Sequence, residues 1–405
     1  CGTNSTVGGG DTNLAKCNDS SVIGGSTNCA SGQYAAVVGG YTNVASGIAS
    51  VAGGRDNTAD ADYSFVGGGY DNCVHAVGLS SFIGGGAGNT SIVPGTVIGG
   101  GYSNLAIAGG FGVIAGGYDN TISGECGVIG GGYQNSVTAG GDCGTIAGGQ
   151  ENQVTKIHGF VGGGCENCAA GNYSAVGGGD GNEALGTGTS IGGGCGNTAT
   201  VCDYSAVVGG CGNCAGGNYA VVGGSYGSVL GGRHNYATGG CSTVGSGWAL
   251  SALNEGDTVV GGCCNRICSD VATGGCSFIG GGEKNQADCG FNVIVGGCLN
   301  QTTGGVYSVV VGGQQNCADG ACAFVGGGQQ NCADNPGAVV VGGVYNAAHC
   351  NCSTVVGGYS NAADSEYAFV GGGQANEAGL DGNDDHAVVV GGHKNCAMGP
   401  CSFIG

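Results

Sequence analysis

Ser64-Phe65-Val66-Gly67-Gly68-Gly69-Tyr70-Asp71-Asn72, read beside Ser308-Val309-Val310-Val311-Gly312-Gly313-Gln314-Gln315-Asn316-Cys317-Ala318, decides how this chain folds. Both are copies of one unit, S/A-x-V/I-x-G-G-x-x-N-x-A, which recurs from end to end with a period of about 15 residues. On each side of the Gly-Gly pair the recurring residues keep a two-residue spacing, the periodicity of strands rather than helices. Glycine, at 101 of 405 residues, would disrupt almost any helix. Paired at a corner, it supplies the positive φ angles of a tight turn.

Each copy therefore predicts two strands of about four or five residues joined by turns. Strands that short cannot stand alone, so successive coils must stack, hydrogen-bonded at about 4.8 Å per rung. The expected architecture is all-β: a parallel β-solenoid, or β-roll, forming a single repeat array over residues 1–405. Its roughly 25–27 coils give a rod on the order of 130 Å, with irregular coils expected near 225–257, 265–285 and 376–395. Cys401 to Gly405 begin a unit, and Cys1 to Asn4 read as the tail of one, so the pattern is expected to continue in a longer protein or to join similar ends in a polymer.

One Asn per coil follows the corner: Asn28, Asn43, Asn72, Asn167, Asn316, Asn331, Asn346 and Asn361 among others. Stacked amides bond each other and the turn backbone, so this row is expected to be a structural ladder. A ligand site needs one constellation, not a row of identical copies.

The spacing resembles the head repeats of YadA-like trimeric autotransporter adhesins and the related β-roll repeats of viral and phage tail fibres. Ser174-Ala175-Val176-Gly177 and Ser353-Thr354-Val355-Val356-Gly357 stand where those families carry S-x-A-x-G. Here one extra residue occupies the corner, and Asn replaces a small residue after it. The resemblance implies a left-handed parallel β-roll assembled as a homotrimer.

Seven of the nine phenylalanines, Phe65, Phe82, Phe160, Phe278, Phe324, Phe369 and Phe403, share one slot beside the inward Val or Ile. Counting from that residue places them outside a single roll. An exposed apolar row of that length would aggregate unless covered. Two readings stay open: the row packs against two symmetry mates as the oligomer interface, or the facing is reversed and Phe fills the core.

The 26 cysteines fall mostly in fixed slots, after the ladder Asn or after the corner glycines. Neighbouring copies such as Cys195 and Cys211, or Cys317 and Cys332, are expected about one rung apart, near the Cα separation a disulfide tolerates. They are the disulfide candidates of an extracellular rod. Cys165-Glu166-Asn167-Cys168 and Cys211-Gly212-Asn213-Cys214 also read as the C-x-x-C of zinc or redox sites. Both coincide with the repeat's own corner, and rows of free thiols would instead make the fibre redox-responsive or metal-scavenging.

Departures from the period mark where a rod gains specificity. Around the only tryptophan, Trp248, the ladder Asn is lost, which reads either as a contact loop or as a plug over a defective coil. Asp381, Asp384 and Asp385 gather in a glycine-rich turn, either a second contact loop or a solvated one; calcium would suit the oxygens, but the ligand pattern is missing.

Acids outnumber bases 27 to 7, giving a formal charge of −20, which argues against nucleic acid and anionic lipid as direct partners. There is no long apolar run for membrane insertion. The nine-residue calcium motif of RTX rolls, the regular Thr array of ice-binding rolls and the paired acids of polysaccharide-cleaving helices are all missing. The six histidines have no nucleophile partner in view. The expectation is no enzyme, no catalytic residue, no cofactor and no metal. The chain reads as the structural shaft or subunit of an extracellular fibre or filament on a cell or virion surface, partnered by itself as homotrimer or polymer. The alternative is an adhesin or receptor-binding fibre that touches a host-surface receptor through the irregular loops. The sequons at Asn4, Asn18, Asn89, Asn172, Asn300 and Asn351 are about as many as so Asn- and Ser-rich a chain would hold by chance.

Overall fold

The structure, a computed structural model, describes residues 2–216, 228–268, 275–380 and 385–405. The chain divides into two compact units, Cys1–Gly196 and Asn197–Gly405. Each is an all-β parallel solenoid, with about 25 coils in all and no helix among the described residues. Every regular coil gives one strand to each of two walls. On the first wall Phe65–Val66, Phe82–Ile83 and Val97–Ile98 stack in register; on the second, Thr58–Ala59, Cys73–Val74 and Thr90–Ser91 do the same.

The regular strands are two residues long, shorter than the four or five expected. Left-handed residues cut them. The second corner glycine has φ near +90°, as at Gly25 (88°), Gly40 (92°) and Gly101 (94°). The spacing of the glycines made that turn legible. Two further left-handed sites per coil are mostly not glycine: the residue before the ladder Asn, as at Asp71 (55°) and Glu151 (54°), and the residue two places before the first-wall strand, as at Tyr63 (60°) and Ser80 (58°). Each costs roughly 1–2 kcal/mol in an isolated chain. Inter-coil hydrogen bonds offset that cost. In the coil from Ser64 to Ser80, the N–H groups of Phe65, Gly67, Tyr70, Cys73 and His75 donate to the next coil. Those of the left-handed Asp71 and Ser80 donate to the preceding one.

Three longer strands, Ser228–Arg233, Thr243–Trp248 and Thr258–Cys263, run straight through the corner. Their register continues as Gly231↔Ser246, Gly232↔Gly247 and Arg233↔Trp248.

The core lies between the walls. The second residue of each short strand points inward, so Val66 and Val74, or Ile83 and Ser91, are fully buried while their neighbours Phe65 and Cys73 face out. Strand alternation is what separates them. A buried Ser often closes the coil before the first-wall strand, its hydroxyl donating to the carbonyl three residues back, as from Ser64 to Ala61 at 2.6 Å.

Candidate functional site

The asparagine row is a ladder. Asn28, Asn43, Asn72, Asn167, Asn316, Asn331, Asn346 and Asn361 are all buried. The Asn43 N–H donates to Asn28 Oδ1 at 3.0 Å, and Asn43 Nδ2 donates to the corner carbonyls of its own coil, Gly39 at 2.9 Å, and of the next, Gly54 at 2.9 Å. Each amide thus ties its own corner to the coils on both sides. At residue 250 Leu takes the Asn slot, fully buried, and its N–H still donates to Asn235 Oδ1 at 3.0 Å. The coil survives because only the side-chain bonds are lost.

These seven phenylalanines lie outside the core, on the outward slot of the first wall, and in all but the last, Phe403, the next Val or Ile is the buried partner. The reading that places Phe inside each coil is therefore wrong, because the strand pleat gives the interior to the β-branched residue. All seven rings share a neighbour that sequence reading passed over: Gly67, Gly84, Gly162, Gly280, Gly326, Gly371 and Gly405 stand two residues after them. A methyl group on Gly67, Gly84 or Gly326 would sit 3.4, 3.3 or 3.3 Å from Cε1 of the preceding Phe, so each ring folds over its own glycine. Phe65 and Phe82 also stack, with centroids 5.5 Å apart and 12° between planes. Part of the cover required for the row is thus intramolecular. From residue 293 on, the coils without Phe carry branched residues at both outward slots, as at Val309/Val311 and Val339/Val341. From Phe278 to Phe403 the outward slots of this wall hold no charged residue, and Val311 and Val341 remain 42% and 48% exposed.

Cys317 and Cys332 are in-register partners on the second wall. Cys195 falls in the first unit and Cys211 in the second. None of the 25 described cysteines is in a disulfide. The C-x-x-C reading splits between rows at Cys165 and Cys168. Cys165 hydrogen-bonds Asp180 on the corner row, whereas Cys168 Sγ lies 3.8 Å from Gln153 Oε1 on the second wall. Burial first, then the Asp60 and Asp71 carboxylates, pushes the Cys73 thiol up to about 11. Among the described residues no three His, Cys, Asp or Glu side chains converge as a metal ion requires.

Trp248 stands on a strand, not a loop, paired between Arg233 and Cys263 and 54% exposed. The coil stays intact there because Leu250 fills the ladder slot, so the tryptophan is free to face solvent. Asp385 is exposed, while Asp381 and Asp384 lie outside the described residues.

Two groupings escaped the sequence reading. In the corner row, Tyr102, Tyr118 and Tyr133 stack at 5.1 and 5.2 Å, and the Arg55 guanidinium sits 5.6 Å from the rings of both Tyr41 and Tyr70. The signal was a Tyr recurring after the corner glycines. On the second wall His349 lies between two carboxylates, Nδ1 at 2.6 Å from Asp364 Oδ1 and Nε2 at 3.5 Å from Asp334 Oδ2. The Asp364 hydrogen bond, against a smaller opposing effect of burial, holds the imidazole above its ordinary value. Comparison with known proteins assigns no family: no family model matches the chain, and no curated protein matches it significantly.

Proposed function

We propose that this chain is a structural element, the shaft or a subunit of an extracellular fibre or filament, whose work is length, stiffness and resistance to unfolding. The observation that carries this reading is the buried Asn ladder, which spends one residue of every regular coil on joining that coil to its neighbours. Nearest-neighbour stabilisation repeated along an array suits a load-bearing element. In this reading the chain has no catalytic role.

Self-association is part of the proposal. Three copies join through the first wall, burying Phe278, Phe324 and the exposed valines between them around a three-fold axis. An uncharged apolar face on a chain of charge −20 supports this, as does the likeness to YadA-type and tail-fibre repeats. The exposed Trp248 favours a second reading, a fibre that also grips a host-surface receptor.

Light scattering on the native particle, with and without reductant, tests this. A three-chain mass that survives reduction is expected, falling to one chain in Val311→Lys/Val341→Lys. A wild-type monomer would refute the packing, and an open-ended polymer would make the chain a filament subunit.

A further inference from the structure

Among the described residues one constellation occurs twice and has no part in a shaft: two thiols on successive coils, with two carboxylates on the same two coils. In the second unit the Cys317 thiol hydrogen-bonds its in-register neighbour Cys332 and also Asp319. Cys332 Sγ donates to Asp334 Oδ1 at 2.6 Å. In the first unit Cys126 and Cys143 take the same left-handed turn slot of successive coils, with φ of 54° and 55°, and their thiols are hydrogen-bonded. Glu125 and Asp142 directly precede them, and the Glu125 N–H donates to Asp142 Oδ1 at 2.9 Å.

The rung spacing selects the chemistry. Side chains repeated by translation along a parallel stack are about 4.8 Å apart at Cα and Cβ alike. A disulfide prefers Cβ atoms about 3.5–4.5 Å apart, so the pair must distort to close one. Two sulfurs on opposite sides of one metal ion, each at about 2.3 Å, span about 4.6 Å, close to the rung step. Asp319 and Asp334 each hydrogen-bond a thiol of the second pair, but among the described residues no three such side chains are grouped as a four-coordinate zinc cage needs. Two thiolates without further ligands suit a soft cation, and the adjacent carboxylates concentrate cations at the site.

We propose that Cys317–Cys332 and Cys126–Cys143 are each a two-sulfur binding site for a soft monovalent cation of the copper(I) class. Both thiols lose their protons as the cation enters, so uptake releases two protons per site and weakens as pH falls.

The experiment loads the reduced full chain anaerobically from a copper(I) buffer fixed by a competing chelator, and counts retained copper by native mass spectrometry. Cys317→Ser/Cys332→Ser is expected to lose one equivalent and Cys126→Ser/Cys143→Ser another. Cys29→Ser/Cys73→Ser, whose cysteines have no in-register cysteine partner, is expected to lose none. X-ray absorption of the wild-type complex, which needs no variant to fold, is expected to show two sulfur neighbours per copper. Equal losses in the control, no loss in either pair variant, or a shell of three or more ligands would overturn the proposal. So would pairs that, on exposure to oxidised glutathione as the disulfide oxidant, each lose two hydrogens to form a disulfide faster than they take up copper, with two reduced glutathione molecules released.

Discussion

Replacing Asn331 with Ala tests whether the ladder carries the stability of the array. Asn331 Nδ2 donates to Asn316 Oδ1 at 3.1 Å, to Gly327 O at 2.8 Å and to Gly343 O at 2.9 Å, and its Oδ1 accepts the Asn346 N–H at 3.0 Å. Alanine keeps the backbone bond from the residue-331 N–H to Asn316 Oδ1 and loses all the others. Each net hydrogen bond is worth about 0.5–1.5 kcal/mol, and the buried Asn346 N–H left without its acceptor costs about 1–3 kcal/mol. Because two amide hydrogens serve three acceptors, two net bonds and the stranded N–H sum to about 2–6 kcal/mol, centred on about 4 kcal/mol. Nearest-neighbour coupling confines that loss to the coils holding residues 316, 331 and 346. Hydrogen exchange read by mass spectrometry should show protection there falling by roughly 10²–10³-fold, since about 1.4 kcal/mol is a factor of ten. Coils around Asn265 should be unchanged. A fall of less than tenfold, or one spread evenly over the unit, would refute the ladder as the local source of stability.

The ring-over-glycine packing predicts a coupled pair. Val at position 326 puts its Cβ 3.3 Å from the Phe324 ring and hard against the Val341 carbonyl oxygen, so Gly326→Val alone should destabilise by about 1–3 kcal/mol. Adding Phe324→Val, which copies the neighbouring Val/Val coils, should recover about 1 kcal/mol or more in a denaturation cycle; simple additivity would sink the idea. His349 should act as a weak pH-dependent clamp between Asp334 and Asp364. Its folded pKa is raised, so its stabilisation is complete below about pH 6.5 and is lost as pH rises through the folded value. With the ring half exposed, the effect should stay under about 1 kcal/mol and vanish in His349→Gln; a slope of opposite sign in urea midpoints would refute it. When a eukaryotic cell secretes the chain, the exposed Asn18 and Asn351 should accept glycans and the buried ladder residues Asn89 and Asn300 should not. Glycopeptide mapping that finds sugar on Asn89 or Asn300 would mean the ladder forms late or not at all.

The ladder and the facing of the walls were legible because both follow from local periodicity. A two-residue alternation beside Val66 already places Phe65 outside, and one Asn after each Gly-Gly corner can only form a row. The strand lengths were not legible. They depend on left-handed φ at Asp71, Ser80 and their equivalents, non-glycine residues whose strain is offset only by hydrogen bonds to the preceding coil. The thiol pairs were half legible: Cys317 and Cys332 sit one period apart, each with an Asp two residues on, but His349 meets Asp334 only through stacking. Likewise the Phe-x-Gly pattern was present seven times, yet its meaning is a ring position that no sequence spacing states.

The sequence by itself determined that this protein is a stacked parallel solenoid with buried asparagines, because a repeat that hides its polar and apolar residues in fixed slots leaves no other way to satisfy them. Only the tertiary structure decided which residues of different coils touch. Coils of 14, 17 or 19 residues insert their extra length at the turns while the walls keep register, so contacts such as Asn57 with Asn43, Cys126 with Cys143, or Asn395 with Asn376 are fixed by hydrogen bonding between rungs and not by distance along the chain.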